Sequence, residues 1–309
     1  MRIVIELPSW LGDAVMATPS IENLLELYPD AKLTLVGSHL STQALKSHPR
    51  VVESVVLDKR FRQLYRTAKR LGSFDMAISF RSSFRSGLFL FFIDAKERYQ
   101  FPKSYSGMHQ VEKYALFIEE SLGIRTKPER LKLYERVYSY PRPTLGINPG
   151  ASYGSAKRWY PESFADVAIS LASRYDIVIF GGPGEEEIAR DIEEMIRKSD
   201  IDNVENLAGE LTIPELISRI AGLSWLVTND SGPMHVAAAY QIPTVALFGP
   251  TKYRETNQWQ NPKGYLIRKE MECSPCMKRS CPLKHHNCMR EILADDVLEV
   301  INRVDEVEQ

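Results

Sequence analysis

TLGINPGASYGSAKRWYPESFADVAISLASRYDIVIFGG, residues 144–182, decides the fold. A buried-type strand at Thr144–Asn148 runs into a loop of small residues. A helix over 161–174 follows, opened by Pro161 with Glu162 in its first turn, where a fixed φ and a carboxylate both suit a helix start. Asp176–Phe180 is a second apolar strand and stops at Gly181-Gly182. Strand, helix and strand in this spacing make a βαβ unit, and its two strands pair in parallel.

The alternation extends both ways. Downstream, helices near 185–198 and 213–222 precede a strand at Trp225–Asn229, a helix over 232–240 and a strand at Thr244–Phe248. Upstream, Ile3–Leu7, Lys32–Gly37, Val51–Leu57 and Asp75–Phe80 read as strands. Helical stretches near 13–28, 41–48, 60–72 and 83–93 separate and follow them, and Gly107–Leu122 reads as one more helix. Between the two series, Pro128, Pro141 and Pro143 interrupt a stretch of weak periodicity, and Pro141-Arg142-Pro143 is the linker. The expectation is α/β architecture in two Rossmann-like domains, 1–140 and 141–309, with parallel sheets facing a cleft. Glu291–Val307 is a terminal helix.

Composition narrows the class. A chain of 309 residues, 44% hydrophobic and 26% charged, buries a core without disulfides. The 39 basic against 40 acidic side chains argue against a general nucleic-acid binder. Only five strand-like residues separate Met1-Arg2 from Pro8, which is not a secretory signal. The longest apolar run, Gly87–Ile93, is far short of a membrane span. A cytosolic or membrane-peripheral protein is expected. All four cysteines fall between Cys273 and Cys288, a distribution that favours a reducing compartment.

Ligands of parallel α/β domains bind where strands end and helices begin. Four such junctions carry chemistry. At Pro8–Asp13, Gly12 permits a tight turn, and Asp13 is either a general base or a carboxylate stabilising a helix start. At 148–159, small residues expose backbone amides, while Ser152, Ser155, Lys157 and Arg158 add hydroxyls and charge suited to a diphosphate. At 229–235, the free amides of the helix beginning at Gly232-Pro233 suit an anion; Asp230 then serves sugar hydroxyls or caps the helix, and His235 lies one turn in. At Phe180–Glu187 the dinucleotide glycine fingerprint is absent, and the acids there serve a ribose hydroxyl or solvent.

Two further features stand apart. KRFRQLYRTAKR at 59–70 holds six bases and no acid, fitting either a solvated face or a polyanion or anionic membrane surface; Arg81, Arg85 and Lys103 could join it. Cys273, Cys276, Cys281 and Cys288, with His285 and His286 between them, have a spacing compatible with structural zinc or with four reduced thiols.

PSWLGDAVMATPSI at 8–21, PGASYGSAKRW at 149–159, NDSGPMHVAAA at 229–239, LFGPT at 247–251 and CSPCMKRSCPLKHHNCM at 273–289 together resemble glycosyltransferase family 9, the ADP-heptose:lipopolysaccharide heptosyltransferases. The SWLGD start and the cysteine-rich tail resemble the heptosyltransferase II branch. The resemblance implies a GT-B fold, with the acceptor on the N-terminal domain, the donor on the C-terminal one, and inversion at the heptose anomeric carbon. It implies Asp13 as the base and Ser152, Ser155, Lys157, Asp230, Ser231 and Gly232 as donor ligands. Glu185 or Glu187 would bind the nucleotide ribose. Arg60, Arg62, Arg66 and Arg81 would meet the anionic groups of heptosyl-Kdo2-lipid A at the cytoplasmic face of the inner membrane. It also implies a terminal helix that often crosses back onto the N-terminal domain. Such chemistry needs no catalytic metal and is compatible with Mg²⁺. The rivals are heptosyltransferase I or another family 9 transferase, a nucleotide-binding oxidoreductase lacking the glycine fingerprint, and a zinc-stabilised nucleic-acid-binding protein.

Overall fold

The computed structural model describes residues 1–58 and 60–308; Lys59, the first residue of the basic run, lies outside them. The chain forms two compact units, Met1–Glu135 and the residues from Arg136 onward.

The first unit has β1 (Arg2–Glu6), β2 (Lys32–Gly37), β3 (Val51–Val56), β4 (Ser73–Ser79) and β5 (Asp94–Gln100). They form one sheet in the order β3-β2-β1-β4-β5, every described pairing parallel. β1 is central, and Ile3, Val4 and Ile5 are fully buried, so both faces of this strand are covered. No strand is expected from the sequence at 94–100. That segment, DAKERYQ, is an edge strand with one buried residue, Ala95, and its polarity makes it read as loop.

The helices are α1 (Leu11–Met16), α2 (Thr18–Leu27), α3 (His39–Leu45), α4 (Phe61–Arg70), α5 (Phe84–Phe92) and α6 (Gln110–Leu122). α1 begins at Leu11, ahead of Asp13, and the helical path breaks at Ala17. The break has a local cause: Pro19 has no N–H to give the Val15 carbonyl, and the Thr18 hydroxyl bonds that oxygen instead at 2.7 Å. Ser38 caps α3, Ser83 caps α5, and His109 with Glu112 forms a capping box on α6. The extended segment after α6 lies on α2. Lys127 N–H reaches Asn23, Lys132 N–H reaches Thr18, and Glu22 gathers His48, Lys132 and Tyr134. Burial alone would raise the Glu22 carboxyl; these three donors outweigh it and bring it down to about 2.

The second unit has β6 (Thr144–Asn148), β7 (Asp176–Ile179), β8 (Val204–Asn206), β9 (Trp225–Asn229), β10 (Thr244–Leu247) and β11 (Gly264–Ile267), in the order β11-β10-β9-β6-β7-β8. This is the strand order of a doubly wound dinucleotide-type sheet. Its helices are α7 (Pro161–Leu171), α8 (Glu186–Arg197), α9 (Ile213–Ala221), α10 (Gly232–Tyr240), α11 (Tyr253–Thr256), α12 (Asn287–Arg290) and α13 (Ala294–Glu308). β8 and β11, short strands at the two edges, are also absent from the sequence expectation.

α13 packs within the second unit, beside α7 and β11. Val297 and Ile301 are fully buried in that unit's core, and Asp305 accepts bonds from Arg174, Tyr175 and the Trp225 indole. Two buried apolar side chains and three donors on one carboxylate tie the helix there.

Candidate active site

In each unit the strand order reverses between two neighbours, β1 and β4 in the first and β6 and β9 in the second. At both reversals the last paired residues are polar: Glu6 opposite Ser79, and Asn148 opposite Thr228. Polar pairs buried at the carboxyl ends of strands mark the crevice where ligands bind in this architecture.

In the second unit, Asn148 Nδ2 donates to Thr228 Oγ1 and to Ser231 Oγ, both at 3.1 Å. Ser231 is the N-cap of α10, yet its hydroxyl lies on these neighbours and makes no capping bond to the helix. The first amides of α10 are therefore left uncapped by that side chain, which suits an anion. Asn229 fastens the facing loop, accepting from Trp159 N–H at 3.0 Å and donating to the Pro149 carbonyl at 2.7 Å.

Lys157 stands at the end of a short 3₁₀ turn, Ser155–Lys157, and its ammonium lies 2.6 Å from Asp230 Oδ2. Asp230 is 4% exposed, and the same oxygen accepts from Thr251 Oγ1 at 2.6 Å. Tyr153 lies under the Lys157 ammonium, 5.0 Å from ring centre to nitrogen. The loop's lysine and the acid of the 229–235 junction are thus one ion pair. Ser152 and Ser155 are exposed on the same loop, and Gly232, directly after Ser231, opens α10.

Glu185 and Glu187, alternatives in the sequence, separate here: Glu185 is buried and Glu187 exposed. The Glu185 carboxylate accepts Gly182 N–H at 2.8 Å and lies against Gly150, where any Cβ would collide with it. Gly150 is thus small because an acid is seated at the ends of β6 and β7.

The cysteine segment braces this loop. Arg279 C=O accepts Ala156 N–H, Met277 C=O accepts the Tyr153 hydroxyl, and His286 lies between the Ala156 carbonyl and the Tyr160 hydroxyl. Cys273, Cys276, Cys281 and Cys288 are free and line one small cavity with His285 and His286. Backbone N–H groups, first that of His286, hold the Cys281 thiol below its usual range, whereas burial and then the other three sulfurs push Cys288 up to about 11. Among the described residues, no three His, Cys, Asp or Glu side chains form a metal-ligating group.

In the first unit, Asp13 sits half-buried in the first turn of α1, just past the end of β1. It faces α6: burial first, and the Asp13 carboxylate second, hold the Tyr114 hydroxyl well above its usual range. In the sheet, at the end of β1, the fully buried Glu6 accepts from Ser79 at 2.6 Å and from Ser86 at 3.1 Å, and Arg81 lies 3.5 Å away. Burial raises the Glu6 carboxyl, with Ser79 and Arg81 opposing. Arg85 reaches the Asp58 carbonyl, and Arg60 pairs with the Asp58 carboxylate at 2.8 Å. Arg81 is thereby tied to Glu6, and Arg85 and Arg60 to Asp58. Arg62 and Arg66 instead point out from α4. Sequence reasoning missed Glu6, hidden in the apolar run IVIEL, and missed Asn148, Thr228 and Thr251 as partners. LFGPT carried Thr251 as a motif without a role.

The model of "Glycosyltransferase family 9 (heptosyltransferase)" matches residues 64–287. Lipooligosaccharide heptosyltransferase 2 of Campylobacter jejuni subsp. jejuni serotype O:2 is 42% identical, over 97% of this chain and 97% of that protein. Lipopolysaccharide heptosyltransferase 2 of Escherichia coli K12 is 28% identical, over 98% of each. The solved structure of E. coli ADP-heptose LPS heptosyltransferase II superposes with a TM-score of 0.84 at 26% identity, covering 100% of this chain and 99% of that one. Two Rossmann-like units with buried polar pairs at their strand reversals, together with these matches, define a glycosyltransferase of GT-B fold. The chain belongs to glycosyltransferase family 9, the heptosyltransferases.

Proposed function

We propose that this glycosyltransferase moves L-glycero-D-manno-heptose from ADP-heptose to heptosyl-Kdo2-lipid A, with inversion at the anomeric carbon. The observation that carries the donor half is the Lys157–Asp230 pair beside the uncapped start of α10. The similarity to heptosyltransferases 2 in two organisms supports the choice of acceptor.

The second unit binds the donor. A diphosphate draws the Lys157 ammonium and meets the first amides of α10 with the hydroxyls of Ser152, Ser155 and Ser231; Gly232 lets it approach. Asp230, held by Thr251 Oγ1 at 2.6 Å, accepts from heptose hydroxyls. Glu185 accepts from the ribose. In the first unit, Asp13 is the base, and Arg60, Arg62, Arg66 and Arg81 bind carboxylate and phosphate groups of the acceptor. The acceptor oxygen bonds to the anomeric carbon as that carbon's bond to the β-phosphate oxygen breaks. The electron pair leaves on ADP, and the acceptor proton passes to Asp13. Lys157 and the helix start stabilise the charge growing on the leaving phosphate, and no catalytic metal is needed for that role, although Mg²⁺ would be compatible with it.

The lipid-linked acceptor places the enzyme on the cytoplasmic face of the inner membrane as a peripheral protein; among the described residues no helix is long and apolar enough to cross a membrane. The test is ADP release from ADP-heptose with Kdo2-lipid A and heptosyl-Kdo2-lipid A as alternative acceptors. Release with the heptosylated acceptor alone is expected. Release with the bare Kdo acceptor alone would make this a first-heptose transferase and overturn the acceptor assignment.

A further inference from the structure

The first unit carries a surface that neither the donor site nor the base explains. Phe61 and Tyr65, one turn apart on α4, are 57% and 48% exposed; Phe84 and Phe91 on α5 are 78% and 76% exposed. The two helices pack together, and the aromatics join through Phe92, whose ring lies 5.3 Å from that of Tyr65 and 5.6 Å from that of Phe91. Phe84, Leu88 and Phe91 follow a helical stripe. Contiguous aromatic exposure of this kind on a folded surface marks an interaction site.

Charge identifies the occupant. α4, FRQLYRTAKR, places Lys69 and Arg70 on its exposed side, next to the Arg62 and Arg66 assigned above to the acceptor's anionic groups, and contains no acid; α5 contains none either. Exposed rings flanked by cations match an anionic bilayer, with rings entering the headgroup boundary and cations meeting lipid phosphates. A second copy docked on the same face about a two-fold axis would set four cations against four, which disfavours self-association there.

We infer that the α4–α5 face is a bilayer-docking surface for anionic phospholipid, inserting Phe84 and Phe91 with Phe61 and Tyr65 beside them. The inference rests on the lipid-linked acceptor proposed above and adds the surface that brings the enzyme to it. The surface holds the first unit, which carries Asp13, against the membrane where the acceptor sugars emerge.

The test is flotation of the full-length protein with vesicles of phosphatidylethanolamine and phosphatidylglycerol, against phosphatidylcholine alone, with parallel assays on a de-acylated, water-soluble acceptor. Binding to the anionic vesicles only, weakened by salt, is expected. Phe84→Ser with Phe91→Ser should lower vesicle binding by roughly tenfold or more. Lys69→Glu with Arg70→Glu should lower it by at least about fivefold per charge removed. The phenylalanine variant should keep wild-type turnover on the soluble acceptor, because both side chains are already exposed and unfolding is not at stake. Equal binding of wild type and both variants, or none to anionic vesicles, overturns the surface while leaving transfer intact. A concentration-dependent dimer abolished by the phenylalanine changes overturns it in favour of self-association. Loss of transfer by the wild-type protein, with vesicle binding kept, refutes the proposed function and not the surface.

Discussion

Replacing Lys157 by alanine perturbs two things at once, and they can be measured separately. The lysine ammonium is 2.6 Å from an Asp230 carboxylate that is 4% exposed, so truncation leaves a buried negative charge with Thr251 as its nearest remaining donor. Removing one partner of a buried pair costs about 3–5 kcal/mol, because the other ion has already lost its water. For a unit of this size each kcal/mol moves the melting temperature by about 2–4 °C, so the second unit should melt about 6–20 °C lower. Asp230→Asn in the same chain removes the stranded charge, and the double variant should recover most of that loss. Donor binding follows a different course. A lost charge-assisted contact to phosphate is worth about 1.5–3 kcal/mol, or roughly 10- to 150-fold in affinity for ADP, and Asp230→Asn should not restore it. Thermal unfolding by circular dichroism and ADP titration calorimetry read the two effects. Unchanged melting in Lys157→Ala would refute the burial reasoning, and unchanged ADP affinity would move the phosphate site elsewhere.

Three further outcomes are expected. Asp13→Asn should lower turnover by about 10²- to 10⁴-fold while ADP binds as before; wild-type turnover would remove Asp13 as the base. Gly150→Ala places a Cβ into the Glu185 carboxylate and should weaken ADP binding or cost about 1–3 kcal/mol of stability, whereas a neutral result in both assays would mean that the acid is free to move aside. Glu22 is held at about 2 against an ordinary 4.5, so below pH 4.5 the unfolded chain takes up its proton first. The stability from this group is complete above that pH and is lost as the pH falls towards 2. Glu22→Gln should flatten the acid limb of the denaturation profile over that window, and an unaltered slope would show that Lys132 and Tyr134 do not clamp it.

Legibility followed burial except at β3, a largely exposed edge strand whose valine-rich run VVESVV reads as a strand all the same. Strands β1, β2, β6, β7, β9 and β10 are nearly enclosed, so their residues are apolar runs that announce themselves. The edge strands β5, β8 and β11 have no such requirement, and DAKERYQ becomes a strand only because β4 offers it a backbone partner. The helix starting near Asp13 was legible, but its break at Ala17 depends on Thr18 taking the carbonyl that Pro19 cannot reach. The cysteine spacing is compatible with structural zinc or with four thiols, but it says nothing of the way the folded segment uses its backbone and His286 to brace the 149–159 loop.

By itself the sequence determined two parallel α/β units, the loops where ligands meet them, and the glycine, serine and lysine content that suits phosphate. These are local properties: periodicity, turn chemistry and charge act over a few residues. The tertiary structure alone decided which of those groups share a site. Lys157 and Asp230 are 73 positions apart, and Glu6 and Ser79 are likewise 73 apart. Each pair meets because a parallel sheet brings the carboxyl ends of distant strands to one edge, where the order of pairing, and no local pattern, sets the neighbours.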